Sequence, residues 1–96
     1  MLSKVKNYLR ISHNALDDDL NDTIAACLQD LKIYGVQAPT PDDQQVDPLI
    51  LNAVKLYCKS EYTDDPVKAA AYRTRYDALK ACLGVAGEYK EAAVDE

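Results

Sequence analysis

Asp-Pro occurs twice in this chain, at Asp47-Pro48 and Asp65-Pro66. Each pair stands directly ahead of a run whose apolar residues recur every three or four positions. An aspartate at the N-cap accepts from the free amides of a first helical turn, and a proline at N1 lacks an N–H that the helix would leave unpaired anyway. The two pairs therefore predict two helix starts. The first run continues to about Tyr62, with Ile50, Val54, Tyr57 and Cys58 on one face and Leu49, Ala53 and Leu56 on another. A helix apolar on two faces is expected to be covered from two sides and to lie at the centre of the domain. The second run carries Tyr72, Tyr76, Leu79 and Leu83 among Ala69, Ala70, Ala71 and Ala78. Gly84 reads as its end, with Val85 folding back on Leu79.

Two further helices precede these. A short one spans Ser3 to Arg10, with Leu2, Val5 and Leu9 on one side and Ser3 as N-cap. Another runs from about Asp17 to Tyr34 on the stripe Leu20, Ile24, Cys27, Leu28, Leu31 and Tyr34. Asp17, Asp18, Asp19 and Asp22 crowd its first turns, where carboxylates complement the positive end of the helix dipole. Gly35 then supplies a left-handed C′ residue and Val36 packs back on Leu31, the pattern of a Schellman ending. Nothing reads convincingly as strand.

The expected architecture is thus all-α: a small bundle of about four helices, folded over residues 1–85 as a single domain. A polar loop over 36–46, broken by Pro39 and Pro41, separates helices two and three. Residues 86–96 read as a mobile C-terminal tail. A domain of 96 residues with no Phe and no Trp has a modest core, and self-association is a common remedy.

Charge and composition exclude more than they suggest. The net charge of −5 is uneven: residues 1–12 carry Lys4, Lys6 and Arg10, whereas residues 13–65 set eleven acids against Lys32, Lys55 and Lys59. Such a middle argues against a surface that grips phosphate backbones, although a same-sign lining would let a strand slide past. His13 is the single histidine and sits in a polar turn, so a Cys–His or Ser–His dyad has no other base to use. Cys27, Cys58 and Cys82 lack the close spacing that nucleates a zinc site, and each falls on or beside an apolar stripe. The aspartates after Leu16 lack the alternating ligands and glycine of a calcium loop. Neither a catalytic constellation nor a cofactor or metal site is expected, and the chain is read as no enzyme. The polar N-terminus predicts no secretory leader, and no apolar run suffices for a membrane span, so a reducing, cytosolic site of synthesis with free thiols is expected.

The order of these features resembles the small head–tail connector (adaptor, or head-completion) proteins of tailed bacteriophages and prophages. The resemblance rests on the opening Leu2-Ser3-Lys4-Val5-Lys6-Asn7-Tyr8-Leu9-Arg10-Ile11 and the acidic start of the second helix. It continues through the Leu31 to Val36 ending, then Asp47-Pro48-Leu49-Ile50 with Ala53-Val54 and Tyr57-Cys58. Asp65-Pro66 leading to Tyr72, Tyr76, Leu79 and Leu83 closes it. The resemblance covers residues 2–83 and implies a structural virion protein with no enzymatic residues. It further implies a ring of about a dozen subunits beneath the portal protein, joined below to a stopper or tail-completion protein. DNA would pass through the ring without sequence-specific binding.

A closed ring needs two different, complementary surfaces on each subunit. Lys4 and Lys6 of one subunit against Asp17, Asp18, Asp19 and Asp22 of the next are the candidate pair. Val36, Pro39, Pro41, Val85, Tyr89 and Val94 are the candidates for contact with portal or tail. The competing reading is a small helical prophage or bacterial interaction or regulatory module that binds a single protein partner. A helix-turn-helix DNA-binding regulator is disfavoured, because the last helix balances Arg73 and Arg75 with acids and is packed with Ala and Tyr.

Overall fold

The computed structural model describes residues 1–39 and 47–85. Among them the chain forms four helices: α1 (Leu2–Leu9), α2 (Asp17–Ile33), α3 (Pro48–Tyr62) and α4 (Pro66–Val85). The fold is an all-α bundle, as expected. Most of the loop read over 36–46 and all of the tail read over 86–96 lie outside the described residues.

Both Asp-Pro starts form as the chemistry dictates. The Leu49 amide donates to Asp47 Oδ1 at 2.8 Å, and the Val67 amide donates to Asp65 Oδ1 at 2.9 Å. The end of α2 is a Schellman turn in full: Gly35 has φ 101°, its amide donates to the Lys32 carbonyl at 3.0 Å, and the Val36 amide donates to the Leu31 carbonyl at 2.9 Å. This turn folds Val36 into the core, where it is fully buried.

Helix α3 packs against each of the other three helices and most extensively against α4. It buries Ile50, Leu51, Ala53, Val54, Leu56 and Cys58, which places it between two layers of neighbours. Leu51, not Leu49, completes its apolar surface; Leu49 is left 46% exposed in the first turn. From α1 only Val5 is fully buried, and α2 contributes Leu20, Ile24, Cys27, Leu28 and Leu31. α4 buries just Tyr76 and Leu83, with Tyr72 and Leu79 packed at the edge of the core. Its far side, including Val67 and Val85, faces outward.

Three local expectations are corrected. Ser3 is not an N-cap: α1 already begins at Leu2, with Met1 at the cap position and no side-chain cap bond. Gly84 does not end α4, which is helical through Val85. The glycine instead makes room for a ring, since a Cβ there would sit 2.5 Å from Tyr34 Cε2. Val85, extending from the same helix, is 78% exposed and does not fold back on Leu79.

Arg10 ends α1 with φ 61° and ψ 40°, a left-handed conformation in a side chain other than glycine. Its amide donates to the Asn7 carbonyl and that of Ile11 to the Lys6 carbonyl, so α1 also closes in a Schellman turn. The Cβ of arginine crowds its own carbonyl there. Arg10→Gly is therefore expected to raise stability by about 1 kcal/mol, read as a higher denaturant midpoint at unchanged slope.

Candidate assembly surfaces

The first expected surface joined Lys4 and Lys6 to the acidic start of α2. The structure divides these residues. Lys6 turns toward its own chain: its ammonium lies 2.7 Å from Asp17 Oδ1 and 2.9 Å from Asn14 Oδ1. Its side chain keeps only 13% of its exposure. Lys6 and Asp17 therefore lock the α1–α2 joint, and neither is open to a neighbouring molecule in the way the sequence suggested. Asp19 is also engaged, accepting a hydrogen bond from the Tyr62 hydroxyl at the end of α3. Lys4, Asp18 and Asp22 remain exposed, with no ion pair among the described residues.

The second expected surface also divides. Val36 is a core residue and has no area left to offer. Pro39 is half-buried, and Val85 stands out at the end of α4. Pro41, Tyr89 and Val94 lie outside the described residues.

A different cluster was not legible in the sequence. Lys55 and Lys59, one turn apart on α3, place their ammonium groups 5.8 and 5.7 Å from the centre of the Tyr8 ring on α1. Lys59 also lies 6.0 Å from the Tyr72 ring on α4, and the Arg75 guanidinium approaches that ring at 5.9 Å. Cations and rings thus alternate across three helices in the order Lys55, Tyr8, Lys59, Tyr72, Arg75. None of the three cations has a carboxylate partner among the described residues. The only advance signal was the four-residue spacing of Lys55 and Lys59. Along the chain both lie within an acidic segment, and Tyr72 is in phase with an apolar stripe.

On another side, a polar clasp joins α2 to α4. The buried Tyr76 donates its hydroxyl proton to Asp30 Oδ2 at 2.6 Å, and the Lys80 ammonium reaches the same oxygen at 3.1 Å. Burial alone would push the Asp30 carboxyl up, but the Tyr76 hydroxyl and Lys80 together outweigh it and hold the group below its ordinary value of 3.8. Burial, then the bond to Asp30, pushes the Tyr76 phenol up. Tyr76 packs edge-on against Tyr57 at 5.1 Å, and the Arg73 guanidinium covers the Tyr57 ring at 4.4 Å while donating from Nε to Ser60 Oγ.

His13 is exposed, and its Nδ1 accepts from the Ala15 amide at 3.3 Å. Among the described residues no three His, Cys, Asp or Glu side chains come together as a metal site would require. No helix is long and apolar enough to cross a membrane, among the same residues. Cys27 and Cys58 are buried, and burial pushes both thiols up to about 12. Their stability contribution is complete below the ordinary thiol value of 9.0 and is lost as pH rises from there toward 12.

The described helices thus bury two of the three thiols and turn cations and carboxylates outward. Residues 1–90 match the profile described as phage connector protein, and the chain belongs to that family. Its role lies, in general terms, at the connection of phage head and tail. Neither a curated protein nor a solved structure matches the chain.

Two measurements follow from this geometry. Tyr76→Phe is expected to cost about 1 kcal/mol, at the low end for a charged acceptor because Asp30 keeps water on one side. It should also shrink the acid-labile part of the stability: a lowered Asp30 contributes above 3.8 and loses that contribution as pH falls through its folded value. Chemical denaturation of both proteins at neutral and acid pH checks this. A disulfide-exchange reagent should modify Cys82 at once in the native protein, and Cys27 and Cys58 only after denaturation.

Proposed function

We propose that the chain is a subunit of a closed ring at the head–tail junction of a tailed phage or prophage. The ring sits below the portal protein and above a stopper or tail-completion protein, and the genome passes through its centre without being read. The observation that carries this reading is the family match over residues 1–90, nearly the length of the chain. The arrangement of side chains supports it, because charges of both signs lie on the outer surface of a small helical domain without an ion pair among the described residues. Contacts above and below are assigned to Pro39, Pro41, Val85, Tyr89 and Val94, with Val85 the one most exposed among the described residues. Residues 86–96 are proposed as the segment that docks on the portal. The particle itself is the location of the mature protein, and the work is structural, not enzymatic.

The test is genetic. In a phage or inducible prophage that carries the gene, a nonsense codon early in the reading frame should yield heads and tails that fail to join, seen side by side by electron microscopy. Joined, infectious particles made without the protein would overturn the reading.

A further inference from the structure

We infer that the ladder of Lys55, Tyr8, Lys59, Tyr72 and Arg75 is one half of the contact between subunits, and that its occupant is the outward face of α2 of a second copy, bearing Asp18 and Asp22. This inference rests on the ring reading above and names the surface through which the ring closes. It also replaces Lys6 in the contact the sequence suggested, since that side chain is held by Asp17 of its own chain.

Three observations carry it. First, the ladder cations contrast with the others nearby. Lys6, Arg73 and Lys80 each hold a carboxylate, whereas Lys55, Lys59 and Arg75 hold none among the described residues. Lys55 and Lys59 are half-buried against a shared ring, so two like charges are kept close together with their side chains already ordered. Anionic groups placed there relieve the repulsion and lose little freedom of the lysines on binding. Lys4, one turn before Tyr8 on α1, extends the positive side.

Second, the matching groups exist on the same chain. Asp18 and Asp22 are exposed, without an ion pair among the described residues, and one turn apart on α2. Lys55 and Lys59 are one turn apart on α3, so both pairs are separated by about 6 Å along a helix. Exposed Ala25 and Ala26 continue the α2 face and leave room for the Tyr8 and Tyr72 rings of a neighbour.

Third, no ion pair joins the two halves within one chain among the described residues. Lys6 faces Asp17 at the start of α2, and Tyr8 lies about 200° further around α1. Two different surfaces of one subunit that complement each other pair head to tail from copy to copy. A DNA backbone would engage the ladder equally well but gives the exposed Asp18 and Asp22 no role.

Zero-length carbodiimide coupling joins an amine to a carboxylate only where the two touch. Full-length chains, half of them labelled with ¹⁵N, would be mixed at low salt and high concentration, coupled and digested. Coupled peptides of mixed isotope are expected to join Lys55 or Lys59 to Asp18 or Asp22, while Lys6–Asp17 couples within one chain and serves as the internal control. Mixed-isotope peptides at other positions overturn this interface and leave the ring reading standing. No mixed-isotope peptide at any concentration, together with a monomer by sedimentation, counts against both.

Charge exchange gives the second measurement. Lys55→Glu with Lys59→Glu should weaken self-association about tenfold or more, as should Asp18→Lys with Asp22→Lys. All four changes in one chain should restore it. If the lysine changes instead leave self-association intact and abolish salt-dependent binding of a DNA duplex, the ladder is a nucleic-acid surface and the inference fails.

Discussion

The bundle depends on the two-sided burial of α3. A chain without Phe or Trp must build its core from aliphatic side chains, two cysteines and one buried tyrosine, and α3 is where these meet. It packs against α1, α2 and α4, whereas α4 rests mainly on α3 alone. Each neighbour thus keeps an outward side that the fold does not use. For α2 that side carries Asp18 and Asp22, and for α4 it carries Val67 and Val85. A small domain that spends its apolar residues on one central helix leaves polar surface at its periphery. That disposition suits a part that functions in contact with other chains.

The framework was legible because it is written in local chemistry. Asp47-Pro48 and Asp65-Pro66 mark helix starts whatever lies around them, and Gly35 followed by Val36 encodes its turn within six residues. The errors have a common physical source, in that they concern what a side chain meets in three dimensions. Ser3 looked like a cap, yet α1 starts one residue earlier. Gly84 looked like a stop, but its missing side chain accommodates Tyr34 from α2, fifty positions away. Val36 was assigned both to the turn and to a partner, and burial leaves only the first.

Charge was the least legible property of all. Counting along the chain placed Lys55 and Lys59 in an acidic stretch, whereas folding sets them beside Tyr8 and Tyr72 from helices at opposite ends of the sequence. The same count made Lys6 look available, whereas Asp17 lies near enough in space to occupy it. Residues 40–46 and 86–96 together hold six carboxylates and one lysine. That difference accounts for the entire net charge of −5, so the remaining residues are balanced overall. What distinguishes their surface is therefore the separation of opposite charges and not any excess of one sign.

The Tyr76–Asp30–Lys80 clasp has a consequence for geometry. α2 and α4 both pack on α3, and this clasp adds a polar link that ties one to the other. Apolar packing tolerates small rotations, whereas a hydrogen bond is directional and weakens as its angle opens. The clasp thus fixes the angle between two helices that carry outward surfaces. In a closed ring the rotations of successive subunits must add up to one full turn, so an angular error in each copy is multiplied by their number. In the ring proposed above, a buried phenol aimed at one carboxylate oxygen would keep that error small, and the precision of a large circle would then be decided inside each of its small parts.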